Sequence, residues 1–183
     1  MKNPITKLVE SIGNEQKSPL PEKKPENANE VIQLLSQITD PEIPVINIHE
    51  LGILRNVTWN NTYYEVTITP TYVGCPAMGM IEMSIRQVLD QYSIPYKIIT
   101  SLHPSWTTDW ITDIGKFKLK EYGIAPPSTQ KRIQNLFEGQ GIVECPRCNS
   151  ANTILISEFA STACKSLYKC NECLEPFDYF KCH

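Results

Sequence analysis

Four cysteines near the C-terminal end of the chain stand in two pairs of equal spacing. They are Cys145, Cys148, Cys170 and Cys173, in the segments ECPRC and CNEC. Two Cys-x-x-Cys turns of this kind can place four thiolates around one tetrahedral metal ion, and the spacing predicts zinc. A redox pair is the weaker interpretation, because the region lacks the helix of a thioredoxin-like unit. An iron–sulfur cluster stays open as an alternative, since Cys164 and Cys182 lie nearby.

A zinc ion held by four thiolates has no open coordination position, so this site is predicted to be structural. The same region carries Lys165, Lys169 and Lys181, but acidic residues are interleaved with them. It therefore has no basic stripe with stacking aromatics, and we expect no nucleic-acid binding. The sequence favours a zinc ribbon that docks to protein. For Cys164 and Cys182 it favours small buried residues.

A different chemistry is indicated at Cys75, in the segment TPTYVGCPAMGM. This cysteine follows a strand and a glycine, and it precedes Pro76, which suits the first turn of a helix. Backbone N–H groups and the helix dipole stabilise a thiolate at such a position and can lower its pKa. We therefore predict a functional thiol here. A half-buried capping residue is an equally weighted alternative.

Two acids, Asp40 and Glu42, flank a proline in the segment ITDPEIP. They can lie beside the reactive thiol or cap backbone groups of their own turn, and Asp-Pro is a common turn former. Negative charge near Cys75 would raise the pKa of the thiol and oppose the helix dipole. His49 and His103 lack the partner expected of a helical zinc pair, so we interpret both as structural or surface residues.

The elements that must position these residues follow from hydrophobic periodicity. An opening helix is predicted from four apolar residues at helical spacing, namely Val31, Leu34, Leu35 and Ile38. Asn27 or Asn29 can cap its start, and Pro41 would end it. Apolar and polar residues alternate around Tyr64 and Val66, which predicts a strand with one buried face. A turn at Asn60-Asn61 is predicted to join it to the strand before it.

A second helix is predicted to begin after Cys75 and to bury one side, namely Ala77, Ile81, Ile85, Val88 and Tyr92. A third strand in PYKIITSL and a helix in TTDWITDIGKFKLKEYG follow, the helix ending at Gly123. The fold class is therefore α+β: a small layered domain with a three-stranded sheet and packed helices, then a C-terminal β zinc ribbon. We predict a disordered tail over 1–27, this domain over 28–125, a linker over 126–140 and the ribbon over 141–183.

Composition limits the cellular setting. The chain has 183 residues and a formal net charge of −3, so no overall basic field attracts nucleic acid or anionic lipid. It has no apolar run long enough to span a membrane and no secretory signal. We expect a cytoplasmic protein, in which the seven cysteines are metal ligands or free thiols rather than disulfides.

Longer segments carry a family resemblance. The segments DPEIPVINIHELGILRNV and VTITPTYVGCPA resemble the domain of SufT-like and cytosolic iron–sulfur assembly factors. The segments HPSWTTDWITDIGKFKLKEYGIAPP, CPRC and STACKSLYKCNECLEPFDYFKCH resemble the PaaD family, the D subunits of bacterial phenylacetyl-CoA epoxidases, over about residues 28–183. By this resemblance 28–125 is the assembly domain, Asp40 and Glu42 match its acidic turn, and Cys75 matches its reactive cysteine. The two cysteine pairs match the zinc ribbon of the PaaD family.

The resemblance implies an accessory protein of phenylacetate degradation that helps to mature the metal or iron–sulfur centres of the epoxidase. Its expected partners are other epoxidase subunits, especially the iron–sulfur reductase or the di-iron oxygenase component, and a homodimer stays open. Zinc is the expected structural cofactor, and iron or an iron–sulfur cluster is expected to bind transiently. The chain lacks the Glu-x-x-His pairs of a di-iron bundle and a Rossmann fingerprint, so we expect no catalytic turnover. A silent structural subunit and a small thiol enzyme using Cys75 are the alternatives.

Overall fold

A computed structural model of the chain describes residues 24–127 and 143–181. Within these ranges the helices are α1 (Ala28–Leu35), α2 (Ala77–Gln91) and α3 (Asp113–Tyr122). The strands are β1 (Leu54–Trp59), β2 (Tyr64–Ile68), β3 (Tyr96–Thr100), β4 (Ile124–Ala125), β5 (Thr153–Ser157), β6 (Lys165–Cys170) and β7 (Pro176–Phe180). Most of the predicted tail and linker, and Cys182, lie outside the described residues.

The first sheet has three strands in the order β1-β2-β3, which confirms the predicted sheet. Strands β1 and β2 form the antiparallel hairpin, and β3 pairs in parallel with β2 after the crossover through α2. Asn61 has a φ of 72°, and the Asn60 side chain accepts hydrogen bonds from the backbone N–H groups of Thr62 and Tyr63. The two asparagines therefore shape the turn, as their local hydrogen bonding and tolerance of positive φ predict.

Helix α1 begins as predicted but ends earlier. The Asn27 side chain accepts from the backbone N–H of Glu30 and caps the start. The helix ends at Leu35 rather than near Pro41, and Thr39 instead pairs with Asn47 in an isolated bridge. The antiparallel bridge closes a loop after α1, and this loop contains Asp40 and Glu42.

The two later helices differ from the prediction in detail. In α2 the fourth buried residue is Leu89, while Val88 and Tyr92 are half-buried. The last helix is divided, because a 3-10 turn over Thr108–Trp110 precedes α3. Thr112 caps α3 by accepting from the N–H of Gly115, since a β-region threonine satisfies an N–H that the helix leaves unpaired.

The second sheet, in the order β4-β7-β6-β5, forms the ribbon. Strands β5, β6 and β7 form an antiparallel meander, in agreement with the predicted β ribbon. Strand β4 comes directly after α3 and pairs in parallel with β7. It lies before the predicted boundary at 125, so the sheet of the ribbon includes two residues of the first domain.

The ribbon also packs into the core of the first domain. Phe180 and Cys164 are buried in the same hydrophobic cluster as the residues of α1 and the first sheet. The Phe180 ring lies 5.9 Å from that of Trp106, whose indole N–H donates to the Leu51 carbonyl at 3.0 Å. The two parts of the chain therefore share a core and are not independent units.

Candidate functional site

The four ribbon thiols converge on one point. Their sulfur atoms all lie within 4.8 Å of one another, with Cys145 and Cys173 at 3.7 Å and Cys148 and Cys170 at 3.5 Å. Each Cys-x-x-Cys turn is followed by a residue with positive φ, Asn149 at 59° or Leu174 at 64°. The turns are thus matched in backbone shape, which lets both sulfurs of each pair point inward. This arrangement can hold a metal ion.

The protonation of these thiols is interdependent. The backbone N–H of Cys173 is the largest cause that lowers the pKa of Cys170, which falls to about 7 although burial opposes it. The N–H of Glu175 lowers the pKa of Cys173, but burial and the neighbouring thiols prevail and raise that pKa to about 12. Four thiols in one space cannot all ionise without a cation, and a bound metal ion would supply that charge.

Cys75 lies in the turn between β2 and α2. Its N–H donates to the Tyr72 carbonyl at 3.2 Å, Gly74 before it has a φ of 85°, and Pro76 is the N-cap residue of α2. The thiol is half-buried at the start of the helix, as predicted.

The donors at the helix start do not prevail over the groups that raise the pKa of the Cys75 thiol. Burial, the largest cause, raises the pKa of Cys75. The N–H of Ala77 and the Thr71 side chain lower it, while the charges of Glu42 and Asp40 raise it further. Donors at the helix start therefore do contact the sulfur, but desolvation and two carboxylates outweigh them. At neutral pH the thiol is therefore mainly protonated.

Asp40 has both of the roles that the sequence left open. Its carboxylate accepts from the backbone N–H groups of Glu42 at 2.8 Å and Ile43 at 2.9 Å, so it shapes its own turn. It is buried, and desolvation raises its pKa more than these two hydrogen bonds lower it. It also acts on the Cys75 thiol as a neighbouring negative charge.

Glu42 faces the ribbon. Its Oε2 lies 4.0 Å from the sulfur of Cys164, the residue just before β6. Burial raises the pKa of Glu42, the charge of Asp40 raises it further, and Lys165 lowers it. The predicted acidic turn therefore lies at the contact between the two domains.

The sequence missed the contribution of the ribbon to this region. Cys164 is buried, as expected, but it lies beside the acidic turn rather than in the interior of the ribbon. Lys165 is buried beside it and forms an ion pair with Asp178 at 3.0 Å. The adjacent Cys164 and Lys165 are residue types that could belong to a site. Nothing in the sequence pattern shows that they face the acidic turn of the first domain.

The two histidines do not enter the site. His49 and His103 are both exposed. The groups that act electrostatically on the Cys75 thiol are the carboxylates of Glu42 and Asp40. Among the described residues, no second set of three His, Cys, Asp or Glu ligand atoms is as tight as the ribbon cluster.

Comparison with known proteins finds two family models that match parts of the chain. Residues 28–95 match the family model "Iron-sulfur cluster assembly protein", and residues 129–181 match "PaaD zinc beta ribbon domain". The chain is 48% identical over 159 residues to the "Putative 1,2-phenylacetyl-CoA epoxidase" D subunit of Escherichia coli (strain K12), covering 86% of this chain and 94% of that protein. This chain belongs to the PaaD family of phenylacetyl-CoA epoxidase subunits.

More distant relatives match the first domain. A "Fe-S protein maturation auxiliary factor" of Porphyromonas gingivalis (strain ATCC BAA-308 / W83) is 29% identical over 93 residues, covering 49% of this chain and 88% of that protein. A solved structure, "Domain of Unknown Function DUF59" from Bacillus anthracis, has a TM-score of 0.47 at 26% identity, covering 50% of this chain and 90% of that one. The match to the Porphyromonas gingivalis factor and the family model over residues 28–95 confirm the resemblance to iron–sulfur assembly factors predicted from the sequence.

Neither the domain boundaries nor the site residues are tested by these comparisons. The domain boundaries at 28, 125, 126, 140 and 141 and the assignment of site residues remain predictions. In the part of this PaaD-family chain that the structure describes, no helix is long and apolar enough to span a membrane.

Proposed function

We propose that this chain is an accessory protein of a phenylacetyl-CoA epoxidase, and that it assists maturation of the metal or iron–sulfur centres of the epoxidase. The observation that carries the proposal is the 48% identity to the Escherichia coli protein across 94% of its length, in a chain whose residues 28–95 match an iron–sulfur cluster assembly family. A relative named as an iron–sulfur maturation factor supports the same role for the first domain.

Cys75 is the proposed functional thiol of this activity. It is half-buried at the start of α2, where Ala77 and Thr71 hydrogen-bond to the sulfur and the charges of Glu42 and Asp40 act on it. Burial, and after it the neighbouring acids, keep the free thiol protonated, yet the acids would stabilise a bound cation and so favour the thiolate form in the loaded state. Such a site suits transient binding of iron. In this proposal iron is the substrate that is transferred to a client protein, and not a resident cofactor.

The ribbon is proposed to bind zinc through Cys145, Cys148, Cys170 and Cys173. The convergent sulfurs fit a closed tetrahedral site, which supplies folding energy and no open coordination position. An iron–sulfur cluster at the same thiols is the alternative. Metal analysis of protein purified from cells separates the two, since zinc without iron or sulfide supports the structural site.

The proposed partners are other epoxidase subunits, in particular the iron–sulfur reductase or the di-iron oxygenase component. The name of the Escherichia coli relative as a subunit supports such an association. Cytoplasmic location and self-association into a homodimer stay predictions. Analytical ultracentrifugation of the purified chain, alone and with each component, would test the association and the dimer together.

A catalytic thiol is the less favoured alternative. A nucleophilic cysteine normally needs a base and a lowered pKa, whereas the pKa of Cys75 is raised and both described histidines His49 and His103 are exposed. A silent structural subunit stays the main competitor, because a tight complex alone would also explain the family relationship.

Co-expression tests the proposal directly. The epoxidase components are produced with the wild-type chain or with Cys75→Ser, and iron in the purified oxygenase and reductase is measured together with epoxidase activity. We expect iron content and activity to fall on the order of tenfold or more with Cys75→Ser, as for the loss of a group that supports a metal site. Unchanged iron and activity would contradict a role for Cys75.

A second arm separates maturation from simple complex formation. Wild-type chain is added to epoxidase that was produced without it. If the chain is a maturation factor, the epoxidase produced without it is poor in iron and stays inactive unless iron is added. If the chain is a structural subunit, adding it restores the activity at once.

A further inference from the structure

The outer strand of the ribbon sheet, β5, has one free edge. In the order β4-β7-β6-β5 it lies beside β6 alone. A strand in this position presents backbone N–H and C=O groups that can pair with another chain. Proteins commonly protect such an edge with a charged side chain, a short strand or a bulge. The four outer strands of the two sheets can therefore be compared by the protection that each one has.

Three of these four edges are protected. Strand β1 carries the exposed Arg55 and strand β3 carries the exposed Lys97, and a charge on an edge opposes pairing with a further strand. Strand β4 has only two residues. The sequence of β5, TILIS, contains no charged residue and no proline. Of the sheet edges in the described part of the chain, β5 therefore has the least protection by charge or length.

The side chains of β5 also favour contact with another protein. Ile154 and Ile156 are each 54% exposed, and they alternate with half-buried residues, so the burial pattern places both on the exposed side of the strand. No other strand within residues 24–127 and 143–181 exposes two large hydrophobic side chains. Exposed apolar groups on a free edge are typical of a surface that a partner covers.

The hydroxyl groups at the two ends of β5 are already satisfied. The Thr153 hydroxyl donates to the Val143 carbonyl, and the Ser157 hydroxyl donates to the Phe159 carbonyl at 2.8 Å. A strand that covered this edge would therefore leave neither hydroxyl donor buried without an acceptor, and it would itself pair with the backbone. The usual cost of burying unpaired polar groups does not arise here.

Strand β5 is complementary to a second copy of itself. In an antiparallel pair centred on Leu155, Ile154 of one copy lies opposite Ile156 of the other, and this contact occurs twice. Thr153 lies opposite Ser157 in the same register. Since TILIS has no charge, no like charges meet within the pair. A two-fold interface requires one patch that matches itself, and this strand meets that requirement.

We propose that β5 is a self-association surface, and that two copies of this chain pair their β5 strands antiparallel about a two-fold axis at Leu155. The pairing is short, because the ladder with β6 has a bulge between Leu155 and Ser157, and bulges bend a strand. We expect a weak dimer that dissociates on dilution. The surface is argued from the ribbon strand alone and does not rest on the proposed maturation role.

Analytical ultracentrifugation of the full chain over a range of concentrations tests the surface. Ile154→Lys should weaken the dimer on the order of 10–100-fold, because each introduced ammonium would lie against an isoleucine of the other copy. Met83→Lys is the matched control, since Met83 is an exposed hydrophobic residue of α2, outside the ribbon. It should dimerise as the wild type does. Loss of the dimer in Met83→Lys as well as in Ile154→Lys would overturn the proposal.

A double variant distinguishes a second copy from any other partner. When Ile154→Lys is combined with Ile156→Glu, each lysine faces a glutamate of the other copy in the proposed register. Dimerisation should recover at low ionic strength and weaken as salt is added. No recovery would overturn the pairing of two β5 strands. A wild-type chain that stays monomeric up to about 1 mM would overturn the dimer itself.

A measurement on the wild-type chain keeps the proposal testable if these variants fail to fold. Amide hydrogen exchange over 153–157 should be slower at high protein concentration than at low concentration, with β1 and β3 unchanged. Protection of β5 only after an epoxidase component is added would overturn the second copy as its partner. The proposed function fails separately, because Cys75→Ser should dimerise as the wild type does whether or not it lowers epoxidase iron.

Discussion

The molecule contains two groups of cysteines that are built in opposite ways. The ribbon thiols come from two short turns of matched shape, and their sulfurs lie within 4.8 Å of one another. The Cys75 region is assembled from distant parts of the chain: the turn after α1, the start of α2 and the residues before β6. The first group can enclose a metal ion, whereas in the second Cys75 is half-buried and Cys164 is buried at the contact between the two domains.

The largest effect should come from breaking the closed group. Cys145→Ser removes one of four ligands, and metal binding contributes on the order of 10 kcal/mol to the folding of small zinc modules. We expect loss of zinc and unfolding of the ribbon, measured by metal analysis and circular dichroism. Cys75→Ser is the matched control, with the same atomic change outside the cluster. Full zinc occupancy in Cys145→Ser would contradict the assignment of this ligand.

The next effect should come from the contact that joins the two groups. Phe180 is fully buried and packs against Trp106, so Phe180→Ala should destabilise the fold by about 3–5 kcal/mol. Zinc should stay bound, because the ribbon turns are formed locally. Phe159, an exposed aromatic of the same ribbon, is the control, and Phe159→Ala should cost at most about 1 kcal/mol. Urea unfolding measures both, and equal effects would show that the ribbon does not share the first core.

A smaller effect is expected at the acidic turn. Asp40→Ala removes the acceptor of two backbone N–H groups and should cost about 1–3 kcal/mol, whereas Asp40→Asn keeps an acceptor oxygen and removes a buried charge. Asp40→Asn should therefore be close to wild type in urea unfolding at neutral pH.

The pH dependence of this pair follows from the pKa of Asp40, which burial raises in the folded state. The folded carboxyl holds its proton more tightly than the unfolded one, so ionisation costs stability above the unfolded pKa. The wild type should gain stability relative to Asp40→Asn as the pH falls through the folded pKa. A relative loss of stability over that range would show that the two N–H groups outweigh desolvation.

The smallest effect on stability should come from Cys75→Ser. The residue is half-buried and belongs to no closed cluster, so we expect a change of at most about 1 kcal/mol and unchanged zinc. Differential scanning calorimetry measures it. A loss as large as that of Phe180→Ala would make Cys75 a structural residue and would remove the contrast between the two groups.

The sequence predicted what is local and missed what depends on packing between domains. The three-stranded sheet, the cap at Asn27 and the paired cysteine turns follow from periodicity and spacing over short segments. The opposition between the helix start and the two acids at Cys75 could be predicted, but not its outcome, because the pKa depends first on burial and then on carboxylates that lie more than thirty positions away along the chain. The location of Cys164 was missed for the same reason, since one cysteine has no periodicity and its neighbours come from the other domain.

Strand β4 has a consequence for how the chain can be divided. Its two residues, Ile124 and Ala125, cover the outer edge of β7. A fragment cut after residue 125 would expose the backbone of β7 as an open template for another strand, and such edges invite aggregation. The ribbon is therefore incomplete when it is cut out after residue 125. A ribbon transferred to another protein has to include β4, so that the edge of β7 stays covered.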